Sequence, residues 1–429
     1  GGFASEYLYC VKQTADGGFI FGGMSESDIS GDKTENSNGS WDFWILKTDV
    51  NGNVQWQNTI GGGGYDQLAT IQQTPDGGYI VGGFSDSNIS GDKTEDSNGL
   101  SDFWVVKLDN TGNIQWQNGI GGAGGDQLTS IQQTTDGGYL LGGFSDSDIS
   151  GDKNEDSYGL LDYWIVKIDS FGSIQWQKTI GGGSYDYLQT VEQTVDGGYM
   201  LGGYSNSNIS GNKTENTNGS NDYWIVKTDS VGIIQWQNTI GGNSSDELFA
   251  TYQTIDGGYI IGGRSYSNLS GDKTESSNGA SDYWIVKTDG SGIIQWQHSI
   301  GGNDEDAFYC LKPTTDGGFI MGGFSSSGIS GDKTEAGFGA HDFWVVKTDN
   351  IGVIQWQNTI GGSGQEILAD ILETTDGGYI LAGSSDSENS GDITDFNVGA
   401  NDYCMVKLTN KYNLISGSVF ADLNSNNSQ

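Results

Sequence analysis

The sequence predicts an all-β fold, a seven-bladed β-propeller with four antiparallel strands in each blade of about sixty residues. Three observations predict it. The chain of 429 residues repeats itself every sixty positions. Each repeat alternates short aromatic and β-branched segments with Asp- and Gly-containing turn signals. No segment carries apolar residues at a 3.6-residue period over helical length.

The period is read from fixed landmarks. Asp16 recurs as Asp76, Asp136, Asp196, Asp256, Asp316 and Asp376, each followed by two glycines and an aromatic residue. Trp44 recurs as Trp104, Trp164, Trp224, Trp284 and Trp344, then becomes Cys404. Trp56 recurs through Trp356 and then becomes Ser416. The blades are therefore placed at about 1–60, 61–120, 121–180, 181–240, 241–300, 301–360 and 361–415, making one domain over 1–415. Residues 416–429 change character and are expected to be a linker or the start of a following domain. There Asp422, Asn424 and Asn426 alternate as at the start of a calcium loop, without the bidentate Glu.

The second copy justifies each element in turn. "DQLATIQQT" (66–74) is an apolar, Thr-rich strand, and "PDGG" is a hairpin turn. "YIVGGFS" (79–85) is the returning strand. A long polar loop (86–101) follows. "DFWVVKLD" (102–109) is the third strand, "NTG" a turn, and "NIQWQ" (113–117) the fourth strand. "IGGAGG" leads into the next copy, its glycines letting the chain cross from the outer edge of one blade to the inner edge of the next. One four-stranded sheet cannot bury both faces, whereas stacked blades can. Tyr79, Trp104, Trp116 and their copies are expected to fill the space between blades. In the seventh copy the fourth strand is either "NLISGSV" (413–419) or a segment upstream of Gly1. A solenoid would need parallel strands, which the paired hairpin turns oppose. Seven separate sixty-residue domains without disulfides would be marginal.

Thirteen Trp, 20 Tyr and 16 Phe exclude a disordered chain despite 72 Gly. A net charge of -38 opposes nucleic-acid partners and docking on anionic lipid. No run of 18 apolar residues predicts a membrane-spanning helix. Cys10, Cys310 and Cys404 lack disulfide spacing and are expected to be small apolar fillers. The first residues match the interior of a repeat, so a longer multidomain chain is expected.

The candidate site is the loop hexapeptide "SGDKTE" (30–35), rewritten in every blade. Hard cations need six to eight oxygens. The acids Asp32, Glu35, Asp92, Glu95, Asp152, Glu155, Asp272, Glu275, Asp332 and Glu335, with nearby Ser, Thr and Asn, supply enough for calcium. The competing reading is a compact loop held by Ser and Asp side chains, with a Lys–Glu pair on its surface. Asp16, Asp49 and their copies belong to turns. Asp42 and its copies, and Glu6, Asp66 and theirs, are placed to cap neighbouring loops; the second group could alternatively point into the central channel. The two histidines, His298 and His341, occupy unrelated repeat positions, and no catalytic constellation is visible. The repeats differ most at Arg264, Tyr266, Lys312, Pro313 and Asp370.

The pattern "TxDGGYIxxGxSxS…SGDKTE…DYWIVKxDxxGxIQWQxxIGG" spans residues 1–409. It resembles the β-propeller repeats of large secreted and cell-surface proteins of Bacteroidetes-type bacteria. The resemblance implies an extracellular location, export by the type IX secretion system, and an adhesion or scaffold role toward a protein or glycan. It implies no catalytic residues. The sequence reading is therefore a non-catalytic interaction module. A lectin with one sugar site per blade is the alternative, and a hydrolase or lyase at the channel a second one.

Overall fold

The computed structural model describes residues 1–394 and 397–409. Among them, 27 strands and no helix build seven antiparallel sheets arranged as a ring. In the second blade the strands are Asp66–Gln73, Tyr79–Ser85, Asp102–Leu108 and Ile114–Ile120, paired in that order. The fourth strand therefore runs three residues beyond its expected end, and the crossover begins at Gly121. The first six blades have four strands, and the seventh has Glu366–Glu373, Tyr379–Ser385 and Asp402–Leu408. The segment 413–419 and the 416–429 tail lie outside the described residues.

First strands of neighbouring blades contact one another all the way round, including the first blade against the seventh, so they form the wall of the channel. Glu6 N donates to Asn401 O at 2.8 Å just as Asp66 N donates to Trp41 O at 2.8 Å. The first and seventh blades thus meet as any consecutive pair does. Crossovers and hexapeptide loops stand on one face of the ring, which we call the loop face. The Asp-Gly turns stand on the other.

The core lies between sheets. Each apolar cluster joins two blades, as Phe43, Ile45 and Ile60 of the first do with Leu68, Tyr79 and Trp104 of the second. Phe43 meets Trp104 with ring centroids 4.9 Å apart, and Trp56 meets Tyr79 edge-on at 5.7 Å. These are the aromatic contacts expected from the stripe of Trp and Tyr. Where the third strand opens with Asp-Tyr, the phenol adds a bond to the next blade: Tyr163 Oη donates to Trp224 O at 3.0 Å, and Tyr403 Oη to Trp44 O across the closure.

A bulge at the middle of each first strand shifts the register, between Leu68 and Thr70 in the second blade. It drives a first-strand carbonyl against the second strand. A Cβ at Gly83 would lie 1.8 Å from Gln67 O, whereas one at Gly82 would meet the flexible end of Ile131 at 2.4 Å. The second glycine of this pair is accordingly glycine in all seven blades, while the first becomes Ala382 in the seventh. Gly83→Ala is expected to cost about 1–3 kcal/mol by overpacking against backbone, and Gly82→Ala less. Chemical denaturation of the two variants checks this; equal losses would disprove it.

Candidate functional site: loop face and channel

The hexapeptide folds around its lysine. Lys33 Nζ donates to Ser27 O at 2.7 Å, Glu35 O at 3.0 Å and Ser37 Oγ at 3.2 Å. Lys93 is 2% exposed, so the expected surface Lys–Glu pair is replaced by a buried ammonium held by loop oxygens. Gly91 has φ 53, and a Cβ there would press on Gly61 O at 2.4 Å, which explains the recurrent Ser-Gly.

The ten predicted calcium ligands divide into two groups that face different ways. The aspartates reach the preceding blade. Asp92 Oδ2 accepts from Asn38 Nδ2 at 3.1 Å and Gly61 N at 3.2 Å, and Asp152 and Asp332 repeat both contacts with Asn98 and Gly121 and with Asn278 and Gly301. Asp272 takes the same place beside Gly241, and Asp32 beside Gly1. The glutamates cap the fourth strand of their own blade: Glu35 accepts from Thr59 N, Glu95 from Gly119 N, Glu155 from Thr179 N, Glu275 from Ser299 N and Glu335 from Thr359 N. Gln57 and its copies tie the loop to the core, Gln57 accepting from Thr34 N and Trp44 Nε1 and donating to Asp32 O. Among the described residues no three His, Cys, Asp or Glu side chains converge as a metal group. Aspartate and glutamate of one loop are not brought together as a calcium ligand set.

The acids at the strand starts do come together. Asp66 Oδ2 accepts from Gly62 N and Ser87 Oγ, and Asp42 Oδ2 from Asn38 N, as capping predicts. Both side chains are fully buried between blades, so Asp66 and its copies do not line the channel. Across each junction the Asp42-type acid faces the Asp66-type acid of the next blade. Asp342 Oδ1 and Glu366 Oε2 lie 1.9 and 2.7 Å from the point where a Gly361 Cβ would stand. In the pairs Asp42/Asp66, Asp102/Asp126, Asp222/Asp246 and Asp282/Asp306, each partner keeps one carboxyl oxygen without a hydrogen bond. Burial, then the neighbouring carboxylate, pushes Asp42, Asp102, Asp162 and Asp282 up to about 6 and Asp222 to about 7. The loop lysines stand between these pairs, and burial lowers Lys213 and Lys273 to about 8. A girdle of buried acids and lysines therefore circles the ring beneath the loops. In the seventh blade Ile393 stands where the others have lysine, and Cys404 where they have tryptophan.

The opposite face has its own ion pairs. Lys47 Nζ spans its blade to Asp16 Oδ2 at 2.9 Å, and every copy repeats the pair. Asp16 Oδ1 also accepts from Gly18 N, and Asp49 Oδ1 from Asn51 N and Asn53 N, the turn roles expected.

The channel holds a cavity of about 670 Å³ walled by first strands of all seven blades. Lys12 Nζ and Lys312 Nζ flank Asp370 at 3.4 and 3.1 Å, Asp370 Oδ2 accepts from Val11 N at 3.1 Å, and Lys312 Nζ donates to Tyr252 Oη at 2.9 Å. The two ammonium groups hold the Asp370 carboxyl below its usual range despite its burial. Glu192, one blade beyond Tyr252, accepts from Gln253 N and is pushed by burial up to about 7. Cys10 and Cys310 are buried thiols in this wall, and Cys404 is buried in its blade. The sequence had marked Lys312 and Asp370 as departures from the repeat; Lys12, Tyr252 and Glu192 occupy the same column as Lys312 and carried the same signal. His341 stacks on Phe324, and His298 Nδ1 approaches Glu275 at 3.4 Å, so the two histidines serve separate places.

The fold and these sites define a seven-bladed β-propeller. No protein family and no curated protein matches the chain. Among solved structures it is similar to the Pan2 WD40 domain of Neurospora crassa, at 10% identity and TM-score 0.50 over 98% of this chain and 92% of that one. It is also similar to a puromycin hydrolase, at 9% identity and TM-score 0.53 over 97% of this chain and 53% of that one. A Bacteroides caccae protein of unknown function aligns at 11% identity and TM-score 0.41, over 75% and 92% of the two chains. These likenesses concern the fold.

Proposed function

We propose that this propeller is a non-catalytic interaction module of a larger extracellular surface or secreted protein, and that it docks a protein partner on its loop face. The observation that carries this reading is a ring of exposed aliphatic side chains. Ile29, Ile89, Ile149, Ile209, Leu269 and Ile329 stand at the same loop position in six blades, each 61–70% exposed. Their backbones are held: Ile29 N donates to Asn36 Oδ1 at 3.0 Å and Ile89 N to Asp96 Oδ1 at 2.9 Å. Apolar groups presented to water on a rigid frame favour a partner that covers them. The hydrogen bonding of the repeated acids within the architecture supports a non-catalytic role, and the repeat's resemblance to secreted proteins supports the location.

The test is a double variant, Ile149→Asp with Ile209→Asp, measured against a partner purified from the surface or secreted fraction of the source cells. Binding is expected to weaken at least tenfold while the melting temperature holds. Unchanged affinity would remove the loop face from the proposal. Calcium is tested separately by thermal unfolding with excess calcium and with chelator. Because the loop carboxylates already serve backbone N–H groups, no shift is expected; a rise of several degrees with calcium would assign the loops a cation role.

A further inference from the structure

The channel breaks the sevenfold pattern in one column of residues. At the first core position of the first strand the copies barely vary, Leu8 being repeated as leucine in five more blades and as Phe308 in the sixth, and the second, Val11, stays β-branched or leucine in every blade. One residue beyond the second core position the series runs Lys12, Gln72, Gln132, Glu192, Tyr252, Lys312 and Leu372, and all seven line the cavity. Repetition explains an equivalent wall, and it does not explain a wall with two ammonium groups, a carboxylate and a phenol gathered on one side.

The distribution of positive charge points the same way. Of 18 Lys and Arg, the loop lysine of six blades and the third-strand lysine of all seven serve the repeated architecture. Among the described residues the others are Lys12, Lys178, Arg264 and Lys312. Two of these four reach into the channel. Arg264 stands beside it, over the ring of Phe249 at 5.7 Å and paired with Glu247 at 2.6 Å. A chain of net charge -38 thus places two of these four cations in its central cavity. Lys12 and Lys312 keep 32% and 24% of their side chains exposed there, while Asp370 between them keeps 7%. Two ammonium groups around one carboxylate leave a positive charge on that side of the cavity, two blades away from Glu192, the other acid of the wall. Tyr9, Phe249 and Tyr309, also lining it, offer ring faces.

We propose that the channel binds one carboxylate-bearing small molecule per chain, its carboxylate reaching Lys12 and Lys312 from the cavity side, opposite Asp370, and a ring of the ligand against Phe249 and Tyr309. The acid is either a sugar acid or an aromatic acid, since both bring a carboxylate and a ring face. Lys312 and Tyr252 fix the approach of the carboxylate, and the aromatic side chains select the ring. A cavity of about 670 Å³ accommodates a ligand of this size.

The test is titration calorimetry of the full chain with galacturonate, N-acetylneuraminate, 4-hydroxybenzoate and indole-3-acetate, with galactose and indole as neutral controls. One site per chain for at least one acid, tenfold tighter than its neutral control, is expected. Lys312→Gln should weaken that acid at least tenfold. Asp370→Asn, which keeps the acceptor for Val11 N and removes the competing negative charge, should tighten it. These opposite signs separate ligand contact from damage to the fold, which would weaken binding in both variants. The proposal is overturned if no acid binds, if neutral controls bind equally, if the stoichiometry is seven, or if both variants weaken binding alike.

Discussion

Lowering the pH from 7.5 to 5 is expected to raise the melting temperature by several degrees. The cause is the girdle of acid pairs at the blade junctions. Asp42, Asp102, Asp162 and Asp282 sit at about 6 in the folded chain, and Asp222 at about 7, against an ordinary value of 3.8. A carboxyl raised by folding binds its proton more tightly in the native state. Its stabilisation is fully present below the unfolded value and is lost as pH rises through the folded value. Between pH 4 and 7 the native state therefore holds more protons, and stability grows as pH falls. A tenfold gain in proton affinity on folding is worth about 1.4 kcal/mol, so a shift of about two units at these five junctions is worth up to about 3 kcal/mol each. Below about pH 4 the sign reverses. There Asp256 and its copies, held at about 2 by partners such as Thr254 and Lys287, lose their ion pairs. The profile has a maximum near pH 4. Asp222 faces Asp246, Lys213 and Asp272, and its Oδ2 accepts from Asn218 N. Asp222→Asn keeps that acceptor and gives the unpartnered Asp246 oxygen a donor. It should stabilise the chain at pH 7.5 and flatten the slope. A melting temperature that is level or falls between pH 7.5 and 5 would refute the account, and so would a destabilised Asp222→Asn.

Replacing Trp224 by alanine is expected to cost about 3–5 kcal/mol, within the range for deleting a fully buried aromatic side chain. Its ring packs on Tyr163 of the preceding blade at 4.7 Å, and Lys213 Nζ stands 5.2 Å from the ring centroid. Its Nε1 donates to Gln237 Oε1 at 3.0 Å, and Gln237 also accepts from Thr214 N and donates to Asn212 O. The variant therefore opens a cavity between blades and loosens the hexapeptide loop above it. Hydrogen exchange should show faster exchange at Thr214 and its neighbours, together with a lower denaturation midpoint. A loss under about 1 kcal/mol would mean that the junction collapses around the gap. The seventh blade changes both partners together, Ile393 for the lysine and Cys404 for the tryptophan, as expected if the two depend on each other.

The blade plan was legible because propeller blades are local structures. Turn residues and alternating apolar strands declare themselves within sixty positions, and seven repetitions multiply the signal. The caps were legible for the same reason: Asp42 and Asp66 act within a few residues of where the sequence places them. Along the sequence Lys93 looks like half of a surface pair, whereas in the fold the loop closes over it and buries it. The calcium expectation for Asp92 and Glu95 counted oxygens along the loop, whereas their direction is set by partners 31 positions upstream and 24 downstream. Near neighbours in sequence were thus committed to different blades.

The channel shows the same division. The sequence flagged Lys312 and Asp370 as irregular, yet each sits alone in its copy. Only the closed ring brings Asp370 of the seventh blade against Lys12 of the first, 358 positions away. By itself the sequence determined the strand order, the turns, the number of blades and the aromatic packing, since these follow from local pattern and from the need to bury two sheet faces. The tertiary structure alone decided which acids face each other across a junction and which cations share the cavity. Those relations arise between blades, where burial and charge act through space on residues that no local pattern connects.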